Sequence, residues 1–328
     1  MDSNMTVGTP PVVKQKRMLK RETKRKIFFY SCILLPMLQF LLFYVYVNLD
    51  MIAMTFRAYE PVEGQLSYAQ RFAGFDNFSK VLLVVFNPDK ALSQGVIGVG
   101  AHKGLVNMIP QTFAFYLMSL SFLPCGILFA YYIYKNYPLS GLFRIMLYMP
   151  NIVSGVLMTM LFQFVLEKIF GIMEMNLFFV ILYNFVMGFG VNVVMYVSAM
   201  CSIDESISES CQLDGASAIK EFWFVTVPMI FPTVVTFLVM GIAGIFGQSA
   251  NLFTFFGEHA SSKAGVQTVG YFMYINQIKS DIVIPPGATN AIFTFPELSA
   301  MGLLITLVVV PLTLTTRRLL EKYGPNEN

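Results

Sequence analysis

Six stretches of the chain stay apolar for about 20 residues or more, the length an α-helix needs to cross a hydrocarbon core of about 30 Å. They run approximately over 27–47, 112–134, 142–166, 177–200, 225–247 and 298–316. None carries Lys, Asp, Glu or His in its middle, and Arg144 sits near an end from which its long side chain reaches the interface. Pro36, Pro124, Pro150, Pro228, Pro232 and Pro311 fall in or at the edges of these stretches. They read as ordinary kinks, because neighbouring helices and water satisfy the carbonyls a proline releases. The pattern predicts an all-α, polytopic membrane protein with six transmembrane helices.

Composition excludes a soluble fold. Of 328 residues, 56% are hydrophobic and only 12% are charged, with a mean hydropathy of +0.64, so there is too little polar surface to cover a globule. The net charge of +3 hides an asymmetry: residues 1–26 hold eight bases against Asp2 and Glu22. A basic arm can serve nucleic acid, but one lying directly against a long apolar run holds that run's start in the cytoplasm, and no nucleic-acid partner is expected. The chain thus divides into a basic tail, 1–26, and a transmembrane domain, 27–328. The first apolar stretch is too long for a signal peptide and lacks a small-residue cleavage site after it, so it is expected to stay as a span. With the amino terminus inside, cytoplasmic segments hold fourteen Lys and Arg and external ones eight, which favours both termini in the cytoplasm.

Chemistry within the chain is not expected. Cys32, Cys125, Cys201 and Cys211 form no CxxC pair and read as packing residues, and His102 and His259 read as isolated loop residues. The glycine-rich segment 95–104 lacks the spacing of a phosphate loop, and there is no catalytic triad. No cofactor or metal is expected on this chain.

The segment 201–224 between the fourth and fifth stretches is unusual for a cytoplasmic loop. It carries Asp204, Glu205, Glu209, Asp214 and Glu221 against Lys220 alone. It reads as two short helices, the first capped by Ser206 or Ser208, with a break at Asp214-Gly215 where glycine tolerates positive φ. Leu213, Ala216, Ile219 and Phe222 then recur at helical spacing. A helix this short needs packing against its own bundle or a groove on a partner, although a plain connecting helix fits the composition equally well.

From Glu209 to Pro228 the residues resemble the EAA loop of ABC importer permeases, E-A-A-x-x-D-G-A-x-x-x-x-x-F-x-x-I-x-x-P. Glu209, Asp214, Gly215, Ala216, Phe222 and Pro228 are in register, Val225 stands for the Ile, and Ser210 and Cys211 occupy the two Ala positions. Phe72-Ala73-Gly74-Phe75-Asp76-Asn77-Phe78, Phe143-Arg144 to Pro150, and Gly270-Tyr271-Phe272-Met273-Tyr274 are similar to segments of the maltose-type sugar-permease branch. The resemblance covers nearly the whole chain; the third external piece, Glu167 to Asn176, is short for that branch, and the basic tail is longer than the family minimum. It implies a type I importer (MetI-like) permease fold and ATP-driven uptake of a sugar. It also implies a heterodimer with a second permease, two cytoplasmic ABC ATPase subunits that hold the ATP and Mg, and an extracytoplasmic solute-binding protein docking on loops 48–111 and 248–297. Residues 201–224 would form the coupling helix, with Glu209 pairing a base on the ATPase, Gly215 making the turn and Phe222 or Trp223 anchoring its base. Trp223 fits an interfacial belt equally well.

Polar residues within spans face protein or water rather than lipid, since an unpaired amide in hydrocarbon costs several kcal/mol. Asn184, Gly188 and Asn192 lie four apart, with Tyr183 and Tyr196 nearby, and offer one helix face of amide, gap, amide. Gln248, Gln163 and Asn251 are further candidates for a sugar pathway, which needs amides and aromatic faces but no charge. Interhelical hydrogen bonding is the commoner use of such residues. An importer for amino acids, peptides or phosphate would show fixed intramembrane charge, as would a channel or ion-coupled carrier. A non-transporting scaffold would not need the polar stripe.

Overall fold

The computed structural model describes residues 13–61, 68–97, 99–172, 176–260, 265–281 and 292–324. The chain divides into two units, Met1–Met54 and Thr55–Asn328. The first is a single rod: α1 (Val13–Gln39), a wider π-wound stretch Phe40–Tyr46, and α2 (Val47–Met54). Asn48 Nδ2 donates to the Tyr44 carbonyl at 2.6 Å where the winding tightens again. Helix α1 runs without a break through residue 26, where the basic tail was expected to end. Residues 1–12 of that tail lie outside the described residues.

The second unit opens with an antiparallel hairpin, β1 (Arg57–Pro61) and β2 (Tyr68–Phe72), in which Arg57 faces Phe72 and Tyr59 faces Gln70. The rest of the described chain is helical, as the hydropathy pattern leads one to expect, and the small hairpin lies in a loop too polar to have been read as a span. Helices follow: α3 (Asp76–Phe86), α4 (Pro88–Ser93), α5 (Val99–Ser121), α6 (Leu123–Tyr134), α7 (Ser140–Ile152) and α8 (Gly155–Lys168). Then come α9 (Leu177–Met200), α10 (Glu205–Leu213), α11 (Ala218–Glu221), α12 (Val227–Gly244), α13 (Leu252–Phe256), α14 (Val269–Asp281) and α15 (Phe295–Tyr323).

Among the described residues, five helical stretches are long and apolar enough to cross a membrane: Glu22–Met54, Ala101–Tyr134, Leu177–Met200, Ala218–Gly247 and Phe295–Tyr323. The stretch expected over 142–166 is not a straight helix. It is the pair α7 and α8, bent by 107°, and each half is only about 20 Å long. The cause is local. Pro150 withholds an N–H in the last turn of α7, and Val153 and Ser154 then adopt extended backbone before α8 begins. The fourth span matches its expected limits because Asn176 caps it, accepting from the backbone N–H groups of Phe178 and Phe179.

Apolar burial falls in three groups. Two involve α14: one with α3, α4, α5 and the start of α15 (Val84, Leu105, Met108, Phe272, Met301), the other with the first half of α9 (Val180, Tyr183, Leu252, Phe255, Tyr271). The third lies at the opposite end of the bundle, where α6, the second half of α9 and α12 bury Ile133, Tyr196, Met200, Phe222 and Ile230. The four cysteines are free, and Cys32, Cys125 and Cys201 are exposed rather than packed as expected.

Glycines let helices meet where side chains would hold them apart. Gly190 on α9 lies so close to the Leu147 carbonyl of α7 that a Cβ would overlap it, whereas Gly188 faces open space. We expect Gly190→Ala to destabilise the purified protein by about 1–3 kcal/mol, read as a lowered unfolding midpoint in detergent. Gly188→Ala should leave the midpoint unchanged or slightly higher, because alanine is the better helix former. Equal losses at both positions would remove the close approach as the cause.

Candidate functional site

The loop between α9 and α12 projects one exposed helix. Asp204, not Ser206 or Ser208, caps α10: its carboxylate accepts from the Ser206 N–H at 3.0 Å. The Ser206 backbone and hydroxyl hold the Asp204 carboxyl below the usual carboxylate range, so the cap is intact at neutral pH and is lost as pH falls through that lowered value. Past Leu213 the chain reverses at Gly215, φ +72°. The Gly215 N–H bonds to the Gln212 carbonyl and the Ala216 N–H to that of Cys211, both at 3.0 Å, the pair of bonds that closes a helix with a left-handed glycine. Asp214 is the residue before that turn, and the Ser217 side chain caps the next helix, α11.

Past this turn the recurrence read through Leu213, Ala216, Ile219 and Phe222 does not form one face. Leu213 is 88% and Ile219 72% exposed, Ala216 is half-buried, and Phe222 is buried against Tyr131 with ring centroids 5.0 Å apart. Trp223 remains exposed beside Phe222. Glu209 and Asp214 are also exposed, and Pro228 directly follows the π-wound stretch Phe222–Thr226 that joins α11 to α12, where it withholds an N–H from the preceding turn.

Two acids of this loop, Asp204 and Glu221, have internal roles that the sequence reading did not assign. Besides the Asp204 cap, Glu221 is 5% exposed and forms an ion pair with Lys135, the residue after α6, at 2.5 Å. Ser208 of α10 completes a triangle: Lys135 Nζ donates to its Oγ at 2.6 Å, and that hydroxyl donates to Glu221 Oε1 at 2.9 Å. Lys135 also lies over the rings of Tyr131 and Tyr134, and Tyr131 Oη donates to the Ala218 carbonyl at 3.1 Å. Removing one partner of such a buried pair leaves a desolvated charge, a loss of about 3–5 kcal/mol. The sequence signal for Glu221 was present but weak: it directly precedes Phe222-Trp223-Phe224, where a lone carboxylate needs a partner.

The candidate pathway residues separate into two sets. Asn184 donates to the carbonyls of Val180 (2.8 Å) and Ala250 (2.9 Å), and its own oxygen accepts from Asn251 Nδ2 (2.9 Å). Gln163 donates to the Phe255 carbonyl at 3.1 Å. These three amides fasten α8 and α9 to the segment 250–256. Asn192 and Gln248, by contrast, have exposed side chains, and Gly188 is open beside Asn192 on α9. Gln248 is held by its backbone alone: its carbonyl accepts from Thr268 Oγ1 at 2.9 Å, and a Cβ on Gly270 would come within 2.7 Å of it. That close approach is why the segment Gly270–Tyr274 begins with glycine.

At the same end of the bundle lie joints the sequence did not reveal. Gln111 donates to the Gly265 carbonyl and accepts from the Gln267 N–H, and Thr112 accepts from the Val269 N–H. Lys80 pairs with Glu297 at 2.6 Å, and the same carboxylate accepts from the Thr294 N–H that starts α15. Asn77, read only as part of a motif, is buried and donates to the Thr55 and Arg57 carbonyls, fixing the root of the hairpin. His102 is not isolated; its Nε2 lies 2.7 Å from Asp89. Among the described residues no three metal-ligating side chains gather.

Residues 122–325, more than half of the chain and including this loop, match the family described as binding-protein-dependent transport system inner membrane component. The chain is 21% identical over 277 residues to the arabinooligosaccharides transport system permease protein AraP of Halalkalibacterium halodurans, covering 79% of this chain and 80% of that one. It is 24% identical over 253 residues to the polygalacturonan/rhamnogalacturonan transport system permease protein YteP of Bacillus subtilis, covering 70% and 71%. Its fold is similar to that in the crystal structure of a bacterial alginate ABC transporter in complex with an alginate pentasaccharide-bound periplasmic protein. There the TM-score is 0.63 at 18% identity over 92% of this chain and 96% of the other. A multi-span helical bundle with a projecting loop and this match in sequence make the chain a member of the binding-protein-dependent transport system inner membrane component family.

Proposed function

We propose that this chain is the permease subunit that carries a sugar or oligosaccharide inward, driven by ATP hydrolysed on separate subunits. The observation that supports it most is the loop: a helix closed by a left-handed glycine, exposed at Glu209, Leu213 and Ile219, and rooted through Glu221 and Phe222 in the bundle. Such a projection suits the cleft of a cytoplasmic ATPase, whose closure would move the bundle as rigid bodies. Two ATPase subunits, a second permease chain and an external solute-binding protein complete the assembly, with both termini in the cytoplasm as the charge distribution favours. The sugar is favoured by the relatives' own cargo and by a bundle whose open polar positions, Asn192 and Gln248, are neutral amides.

Uptake tests the cargo. Cells carrying this chain with its cognate subunits should take up labelled arabinan, galacturonan or glucan oligosaccharides in an ATP-dependent way that is lost when this chain is deleted. Uptake of a labelled dipeptide and of none of the glycans would overturn the sugar reading.

Glu209→Lys and Gly215→Pro should leave the protein in the membrane while reducing uptake at least about tenfold, since one reverses an exposed charge and the other cannot adopt φ +72°. Normal uptake by both would argue strongly against coupling through this loop.

The two sets of amides should respond differently to replacement by leucine. Asn184→Leu is expected to lower the unfolding midpoint, because it leaves the Ala250 carbonyl and the Asn251 amide unpaired, a loss of about 1–3 kcal/mol. Asn192→Leu with Gln248→Leu should keep the midpoint and weaken transport of the identified glycan. Unchanged transport kinetics in that double variant would take both residues out of the pathway.

A further inference from the structure

The triangle at the root of the loop joins three parts of the chain that are far apart in sequence. Lys135 follows the last turn of α6, Ser208 lies in the middle of α10, and Glu221 ends α11, which runs on through Phe222–Thr226 into α12. All three contacts fall between 2.5 and 2.9 Å, and the side chains of Lys135 and Glu221 are only 16% and 6% exposed. Four residues back on the same face of α6, Tyr131 binds the Ala218 carbonyl at the start of α11. The foot of α6 is therefore tied to both helices of the loop, by charge to α10 and α11 and by a hydroxyl to α11.

We infer that Lys135, locked by Ser208 and Glu221, is the positioning residue that makes α10 and the foot of α6 move as one body, so that displacement of the loop is passed to the second span as well as to α12. This rests on the coupling role proposed for the loop and adds to it a specific route. Chain connectivity alone would pass motion from α10 only to its neighbours α9 and α11. The ion pair adds α6, which packs against α9 through Gly126. Ser208 is essential to that route because it alone of the three belongs to α10, and its hydroxyl can satisfy Lys135 and Glu221 together only when α10 is seated.

Paired spin labels in the intact complex test this without knowledge of the cargo. The four native cysteines are replaced by serine, and labels are placed at exposed Glu205→Cys on α10 and exposed Leu128→Cys on α6. Distances are compared in lipid nanodiscs without nucleotide and after trapping with ATP and vanadate. With the triangle intact, one narrow distance is expected that changes by less than about 2 Å between states. Lys135→Met and Ser208→Ala should each broaden it or shift it by more than about 5 Å on trapping, and exchanging the charges, Lys135→Glu with Glu221→Lys, should restore a narrow distance.

A shift of more than about 5 Å with the triangle intact, or an unchanged narrow distance in Ser208→Ala, overturns the inference. A purely structural role would lower yield and leave the distance narrow in the protein that assembles. Should Lys135→Met fail to accumulate, Ser208→Ala, which keeps both charges, decides alone. The coupling reading fails separately, by normal uptake in Glu209→Lys and Gly215→Pro. Impaired uptake in those variants with an unaltered distance in Ser208→Ala sinks only the route through Lys135.

Discussion

Within lipid a helix gains nothing hydrophobic by touching its neighbour, and a polar group left unpaired there costs several kcal/mol. Close packing at small residues and satisfied polar joints must therefore do the work that apolar burial does in water. The small residues lie along the helices: Gly126 against Tyr196, Gly190 against Leu147, Gly241 against Tyr116. The joints with charge lie at the ends. Lys135–Glu221 sits at the foot of the bundle and Lys80–Glu297 at its opposite end, each with a further hydrogen bond on its carboxylate. A bundle built this way is pinned by charge at its extremities and joined between them by close van der Waals contact and neutral hydrogen bonds such as Thr159 Oγ1 to Tyr183 Oη and Gln163 to the Phe255 carbonyl, an arrangement suited to rigid segments that tilt against one another.

The same constraint explains how the amides divide. Asn184 faces the irregular chain at 250–251, where Ala250 and Asn251 both have positive φ and their backbone leaves helical pairing. A buried carbonyl outside helical pairing needs a donor, and Asn184 supplies it to Ala250. Asn192, two turns further along α9, faces no such break and keeps its side chain free of the scaffold. Position relative to broken backbone, more than residue type, decides which amide is tied into the scaffold and which is left exposed.

Sequence showed the spans whose ends carry local signals and missed those set by distant contacts. The fourth span was legible to the residue because Asn176 caps it and its interior is uniformly apolar. The fifth begins at Ala218, earlier than hydropathy indicates, since Ser217 caps a helix whose first turns include Lys220 and Glu221. For the third, one proline among six gave no sign that Pro150 would accompany a 107° bend while Pro232 and Pro311 lie inside continuous helices. The loop motif located the turn and the exposed carboxylate at Glu209. It did not disclose that Glu221 belongs to the bundle, because the partner, Lys135, is 86 residues away in sequence.

That reassignment changes the character of the loop's exposed surface. Five acids suggested a strongly charged knob, but Asp204 caps its own helix and Glu221 is neutralised inside, which leaves Glu205, Glu209 and Asp214 outward against Lys220. Between and beyond them stand Leu213, Ile219 and Trp223. A contact made here would have an apolar centre and an acidic rim, the anatomy of ordinary protein interfaces, with the charges governing orientation and the apolar side chains supplying most of the affinity. Salt would then slow the approach of a partner more than it loosens the assembled complex, since exposed charges are screened over about 8–10 Å while desolvated apolar contacts are not.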